Sequence, residues 1–221
     1  MAGAGPFFIT FEGGEGAGKT TQIVHLAGYL AGRGVKSILT REPGGTTIGK
    51  QIRAVLLDPA HAVMAPQTEL LLYMADRAEH VQTVIRPSLA AGSSVLCDRF
   101  FDATRVYQGA ARGLAAEWIV RLHDLLFGGF KPDLTLLLDL PPEDGLARAR
   151  HQLERGGRIG GESRFEEEAL AFHQRVRSGY LSLAQQEPGR FRVIDASRDE
   201  DRVRRDIQAA VEAFLDQRRS L

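Results

Sequence analysis

Short apolar runs alternate along the chain with longer segments in which apolar side chains recur every three or four residues. The short runs have the length of strands, and the longer segments have the 3.6-residue period of amphipathic helices. Strands separated by helices favour a parallel sheet with helices on both faces. The predicted strands are Phe7–Phe11, Ser37–Thr40, Val95–Cys97, Leu134–Leu138 and Phe191–Ile194.

Three helices follow from the same pattern. The first begins near Lys19 and ends at the glycines of Gly32–Gly34. A long helix covers Gln67–Leu89, and the last covers roughly Arg202–Leu215. We find no repeat, no low-complexity linker and no second unit, so the sequence predicts one domain over residues 1–221.

Three of the predicted strands are each followed by an aspartate: Asp98, Asp139 and Asp195. Ligands of parallel α/β sheets bind beyond the carboxyl ends of the strands, where these aspartates and the loops lie. The sequence therefore predicts a binding site at this edge of the sheet.

The composition excludes several other classes of protein. Lys plus Arg and Asp plus Glu number 28 each, so no global charge draws the chain to nucleic acid or to a membrane. The single cysteine, Cys97, excludes an internal disulfide and fits a buried thiol. Met1–Pro6 has no charged leader, and Phe7–Phe11 is too short to cross a membrane. We expect a cytoplasmic protein.

A glycine-rich segment lies between the first predicted strand and the first predicted helix. Its sequence, GGEGAGKT, fits the G-x-x-x-x-G-K-[ST] pattern, and the flanking elements argue against a chance match. Glycines let backbone N–H groups turn toward phosphates, and the helix N-terminus adds positive potential. The predicted ATP-binding residues are Gly13, Gly14, Glu15, Gly16, Ala17, Gly18, Lys19, Thr20 and Thr21.

The phosphate-binding loop (P-loop) alone leaves several functions open. A guanine-reading GTPase needs an N-K-x-D motif, and the chain contains no asparagine. The small size favours a nucleotide kinase with a P-loop NTPase core. The alternatives are a deoxynucleoside or other nucleotide kinase, or a non-catalytic module that binds ATP.

Four further segments follow the P-loop in a fixed order, and together with it they resemble the thymidylate kinase (dTMP kinase) family over nearly the whole chain. This resemblance implies a five-stranded parallel sheet of the nucleoside monophosphate kinase type, transfer of the ATP γ-phosphate to dTMP, Mg²⁺ as cofactor, and a homodimer. The segments are Thr40–Thr46 (TREPGGT), Asp98–Phe100 (DRF), Tyr107–Gly109 (YQG), and Arg164–Glu166 leading into Phe172–Arg177.

The resemblance also implies roles for the residues that would hold the nucleoside. Glu15 would accept a hydrogen bond from the sugar 3′-hydroxyl, and Tyr107 would crowd the 2′ position. Tyr73 would stack on thymine and Arg77 would donate to its O4 atom. These two residues are four apart and share one face of the long helix, although a core tyrosine beside a surface arginine has the same spacing.

Two arginines, Arg53 and Arg99, are implied for the acceptor's 5′-phosphate, since the planar guanidinium fits that group. Thr104 and Gln108 resemble the polar contacts to the base and the phosphate. Thr20 and Asp98 are the predicted magnesium ligands. The resemblance further implies a cis peptide before Pro43.

A basic, glycine-rich segment at about residues 152–166 is predicted to be a lid that closes over ATP. Members of this family carry a catalytic arginine either in the P-loop or in the lid, and Gly16 follows Glu15 here. The lid must then supply the charge, with Arg164 as the first candidate and Arg158 as the second. The predicted catalytic residues are Lys19, Arg164, Arg99, Glu15 and Arg158.

Overall fold

A computed structural model of the protein describes residues 5–154 and 164–220. Its centre is a five-stranded sheet in which all neighbouring strands are parallel, in the order β2-β3-β1-β4-β5. The predicted fold class is confirmed, and each predicted strand is found within about a residue of its expected position. The strands are β1 (Phe8–Glu12), β2 (Ser37–Arg41), β3 (Ser94–Asp98), β4 (Leu134–Asp139) and β5 (Phe191–Asp195).

Helices cover both faces of this sheet. A short 3₁₀ turn, Pro59–His61, follows the second helix, and two π-helical segments, Val81–Ile85 and Arg105–Ala111, follow the third and fifth. The helices are α1 (Lys19–Gly32), α2 (Thr47–Leu57), α3 (Pro66–His80), α4 (Arg86–Ala90), α5 (Phe101–Thr104), α6 (Ala116–Phe127), α7 (Pro142–Glu154), α8 (Leu170–Gln186) and α9 (Glu200–Arg219).

The central strand β1 is buried along its whole length because helices pack on both sides of it. Its alternating side chains enter different clusters: Phe11 packs with α1 and α9, whereas Phe8 packs with β3 and α6. Cys97 belongs to the second cluster, and burial raises the pKa of its thiol. It is the buried thiol that the sequence predicts.

The long helix predicted over Gln67–Leu89 is interrupted, and this prediction was wrong in detail. α3 ends at His80, a π-helical segment follows, and α4 begins at Arg86. Within this segment the N–H of Arg86 donates to Val81 O, five residues earlier. Pro87 has no N–H to offer Thr83, so the α-helical hydrogen-bond pattern cannot continue through it.

The elements that the pattern predicts least clearly also matter for the site. α5 and the π-helical segment after it cross the carboxyl edge of the sheet directly after β3. α8 packs against this π-helical segment. Among the described residues, no helix is long and apolar enough to span a membrane.

Candidate active site

The P-loop connects β1 to α1 in a conformation that requires glycine at two positions. Gly13 has φ +139°, and a Cβ there would lie 2.4 Å from the carbonyl oxygen of Leu138. Gly16 has φ +66°, and a Cβ there would lie 2.1 Å from the carbonyl oxygen of Gly145. Any side chain would collide with backbone, so the glycines keep the loop pressed against the sheet edge.

Lys19 folds back over this loop. Its Nζ donates to Gly13 O at 3.2 Å and to Gly14 O at 2.7 Å. Burial, followed by the nearby positive charge of Arg99, lowers the pKa of Lys19 to about 8. The ammonium group is thus held where a phosphate chain would meet it.

A single cavity of about 580 Å³ extends from the P-loop to α3. It brings together residues that are far apart in the sequence, at the sheet edge where they were expected. The predicted site residues that line it are Glu15, Gly16, Ala17, Gly18, Lys19, Thr20, Thr21, Arg53, Tyr73, Arg77, Asp98, Arg99, Thr104, Tyr107 and Gln108.

Glu15 and Arg99 form an ion pair in the middle of this cavity. Arg99 Nη2 donates to Glu15 Oε1 at 2.8 Å, and the hydroxyl of Tyr107 donates to the same oxygen at 3.0 Å. Arg99 has φ 68°, a left-handed conformation that is uncommon outside glycine. This conformation turns its side chain from the end of β3 toward the P-loop, where it pairs with Glu15.

Two residues beneath Arg99 were missed by sequence reasoning. Arg99 Nη1 donates to Tyr180 Oη at 3.2 Å, and this hydroxyl donates to Glu12 Oε2 at 2.7 Å. The other oxygen of Glu12 accepts from the N–H of Phe100 at 2.8 Å. Burial, followed by the charge of Asp102, raises the pKa of Glu12 to about 7. The available signal was a carboxylate ending a strand that is apolar apart from Thr10.

The far end of the cavity contains the predicted base-reading residues. Arg77 is buried, with 1% exposure, and its guanidinium donates to Thr104 Oγ1 at 3.0 Å. Tyr73, one turn earlier on α3, also lines the cavity. Gln108 is buried and donates through Nε2 to Glu69 at 2.7 Å, so its carbonyl oxygen remains as the acceptor group.

The predicted magnesium ligands lie together at the end of β3. Thr20 Oγ1 donates to Asp98 Oδ2 at 2.9 Å. Hydroxyl and carboxylate oxygens are hard ligands that suit Mg²⁺, which takes the rest of its shell from phosphates and water. The described residues contain no group of three or more His, Cys, Asp or Glu side chains that could hold a metal ion.

Arg53 and Pro43 lie beside each other at the mouth of the cavity. Arg53 Nη1 donates to Pro43 O at 3.1 Å, and the Glu42–Pro43 peptide is cis, as the resemblance implies. Gly44, with φ +103°, makes room for Arg53, because a Cβ there would lie 2.8 Å from its Cδ.

Arg164, the first candidate for the lid arginine, does not lie in the cavity, and the structure corrects its expected position. Its Nη2 donates to Glu69 Oε2 at 2.6 Å, and its Nη1 donates to Leu56 O at 3.0 Å. The guanidinium can be buried between α2 and α3 because the carboxylate of Glu69 neutralises its charge there. The second candidate, Arg158, lies outside the described residues.

These features define a P-loop kinase whose cavity continues from the phosphate-binding loop to a second set of polar side chains on α3 and after β3. The family model for thymidylate kinase matches residues 11–207. A thymidylate kinase from Desulfosudis oleivorans is 57% identical over 86% of this chain and 88% of its own length. The thymidylate kinase from Desulfovibrio desulfuricans is 51% identical over 96% of this chain and 97% of its own length. The crystal structure of thymidylate kinase from Ehrlichia chaffeensis is 34% identical, with a TM-score of 0.74 and coverage of 94% of this chain and 99% of that one. The chain belongs to the thymidylate kinase family.

Proposed function

We propose that this kinase transfers the γ-phosphate of ATP to dTMP, giving dTDP and ADP. The observation that carries the proposal is the single cavity, which joins Lys19 of the P-loop to Arg77 and Thr104. A phosphate-binding end and a base-reading end are therefore open to each other. A nucleoside acceptor would leave Arg53 and Arg99 without a phosphate to bind, which favours a monophosphate.

The reaction needs little covalent help from the protein. An oxygen of the acceptor phosphate, already ionised at neutral pH, forms a bond to the γ-phosphorus as the bond to the β-phosphate oxygen breaks. Arg53 and Arg99 hold the attacking phosphate, and Lys19 takes up charge on the transferring group. Positioning and electrostatic stabilisation then supply the rate.

Mg²⁺ is the proposed cofactor, held through Thr20 and Asp98. When bound with ATP it neutralises phosphate charge and orients the phosphate chain. The hydrogen bond of 2.9 Å between the two side chains supports the assignment, because it holds the two oxygen ligands next to each other, one at the start of α1 and one at the end of β3.

Lid closure is proposed to bring an arginine to the transferring phosphoryl group. The whole chain would act as one kinase domain with this lid at about residues 152–166. The buried position of Arg164 favours Arg158 for the catalytic role, with Arg164 fixing the end of the lid segment to α3.

We also propose a cytoplasmic homodimer. Four large apolar side chains on the adjacent helices α3 and α6 are exposed: Leu71, Trp118, Leu125 and Leu126. A second copy of the chain would remove this surface from water. Light scattering after size-exclusion chromatography should give a dimer for the wild type and a monomer for Leu125→Glu.

The activity is tested by ADP release in a coupled assay with ATP, Mg²⁺ and a panel of acceptors. We expect turnover to be fastest with dTMP and poor with UMP and thymidine, with dUMP, dCMP and dGMP completing the panel. Faster turnover with another acceptor would still support a kinase but would contradict the proposed roles of Tyr73 and Arg77 in recognising thymine. No turnover while ATP still binds would favour a regulatory module.

A further inference from the structure

The hydrogen bonds of Arg77 restrict how this arginine can meet a ligand. Its Nε donates to Glu42 Oε2 at 2.8 Å, and its Nη2 donates to Phe100 O at 3.1 Å and to Thr104 Oγ1 at 3.0 Å. The remaining nitrogen, Nη1, has only a weak acceptor among the described residues, the sulfur of Met74 at 3.7 Å. Nη1 is therefore the nitrogen with hydrogens left for a ligand.

Glu42 is itself held on its other side. Its Oε1 lies 2.8 Å from Nδ1 of His80, and Nε2 of that ring lies 2.6 Å from Thr40 Oγ1. An ionised carboxylate only accepts, so the Nδ1–H of His80 donates to it. Both oxygens of the carboxylate are thus occupied, and the side chain cannot rotate without losing a buried hydrogen bond.

Glu42 neutralises the charge of Arg77 at the end of the cavity where the base is proposed to bind. The side chains of Arg77 and Glu42 are 1% and 2% exposed, and both residues line the cavity. A pyrimidine base is neutral and cannot neutralise a buried guanidinium. A permanent counter-ion must therefore be present before the base binds. Asp76, the next acid on α3, is engaged with the N–H of Gly44 at 2.9 Å instead.

We propose that Glu42 is a positioning residue that determines base specificity. It fixes Arg77 so that Nη1 can donate a hydrogen bond to a carbonyl oxygen on the base. A base with an amino group at that position would place a second donor against Nη1, and Arg77 could not rotate to avoid it. This inference rests on the proposed function and goes beyond it. Arg77 discriminates because Glu42 prevents it from adapting.

Glu42→Gln tests the proposal, because it keeps the shape and removes the charge. Gln can still accept from Arg77 Nε and, with His80 in its other tautomer, donate to His80 Nδ1, so the change removes the negative charge that neutralises Arg77. We expect KM for dTMP to rise about 30-fold or more, the effect of breaking a buried charge pair at a binding surface. KM for ATP should change by less than about threefold, and the preference for dTMP over dCMP should fall about tenfold.

Glu187→Gln is the matched control. Glu187 is a half-buried carboxylate paired with Arg190 at 3.0 Å, and it does not line the cavity. This variant should lose thermal stability while its KM for dTMP and its base preference stay unchanged. If Glu42→Gln does the same, Glu42 is only a structural ion-pair partner and the proposal is overturned.

Two further variants keep the test decisive. In an Arg77→Met background, adding Glu42→Gln should not change the KM for dTMP further, because Glu42 acts through Arg77; an independent increase would contradict the proposal. If Glu42→Gln does not fold, Glu42→Asp keeps the charge and shortens the reach. It should raise KM for dTMP at least about fivefold, and an unchanged KM and base preference would overturn the idea. A wild-type enzyme inactive on dTMP would instead refute the proposed function.

Discussion

The buried ion pair between Arg164 and Glu69 provides the sharpest test of how the proposed lid segment is attached. The two side chains are 1% and 0% exposed, and Nη2 lies 2.6 Å from Oε2. Removing one member of such a pair typically costs about 3–5 kcal/mol, because the other charge stays buried. Glu69 keeps two donors when Arg164 is removed, Gln108 at 2.7 Å and Arg112 at 3.4 Å. We therefore expect Arg164→Met to lower the free energy of unfolding by about 3 kcal/mol, the lower end of that range.

Urea unfolding measures the loss of stability, and steady-state kinetics measure whether Arg164 also contributes to kcat. Adding Glu69→Gln to Arg164→Met removes the second charge while keeping an acceptor for Gln108, so the double variant should recover at least about half of the lost stability. The kcat of the folded Arg164→Met protein should fall by less than about tenfold, well below the effect of about 10³-fold or more expected for a lost catalytic arginine. Arg198→Met removes a surface arginine paired with Asp195 and Asp206, and should change stability by less than about 1 kcal/mol.

The opposite result would refute this reasoning. If Arg164→Met keeps its stability and loses about 10³-fold in kcat, Arg164 must leave Glu69 and act on the transferring phosphoryl group. The first expectation from the sequence would then hold, and the ion pair would describe only the nucleotide-free protein.

Three other predictions concern the phosphate and sugar contacts. Because the pKa of Lys19 is lowered to about 8, the free protein loses this positive charge as the pH rises, so kcat/KM for ATP should be constant below pH 8 and fall above it. A value of kcat/KM for ATP that stays constant up to pH 9.5 would contradict this. By contrast, kcat at saturating ATP should decline only at higher pH. Glu15→Gln should raise KM for dTMP at least about tenfold with little effect on KM for ATP, whereas equal effects on both would indicate a misfolded P-loop. Thr20→Val should raise the Mg²⁺ concentration for half-maximal activity about tenfold or more, and an unchanged Mg²⁺ dependence would remove Thr20 from the metal site.

The outline of the fold could be predicted because it depends on local patterns. The central strands β1, β3 and β4 are buried on both faces and are mostly apolar, which made them plain in the sequence, whereas the edge strands β2 and β5 are more exposed and were found as shorter apolar runs between helices. The P-loop could be predicted for a similar reason. Its backbone conformation requires glycine at positions 13 and 16, and both glycines belong to one short motif that can be recognised in the sequence.

The roles of individual charged residues were predicted less well, because a charge in the sequence does not reveal its partner. Arg164 has the sequence context of a lid arginine, and its partner Glu69 is 95 positions away. Glu12 could not be connected with Tyr180, 168 positions away, although the pair supports Arg99. Only packing decides which of many arginines faces a cavity and which is neutralised inside the protein.

The sequence by itself therefore determined the strands, the phosphate-binding loop and the family to which the chain belongs. These follow from periodicity and from short motifs whose geometry is local. The tertiary structure alone decided the burial of Arg164 and the pairing of Arg77 with Glu42. The physical reason is the same in each case: desolvation and the pairing of buried polar groups depend on neighbours that the chain brings together only when it folds.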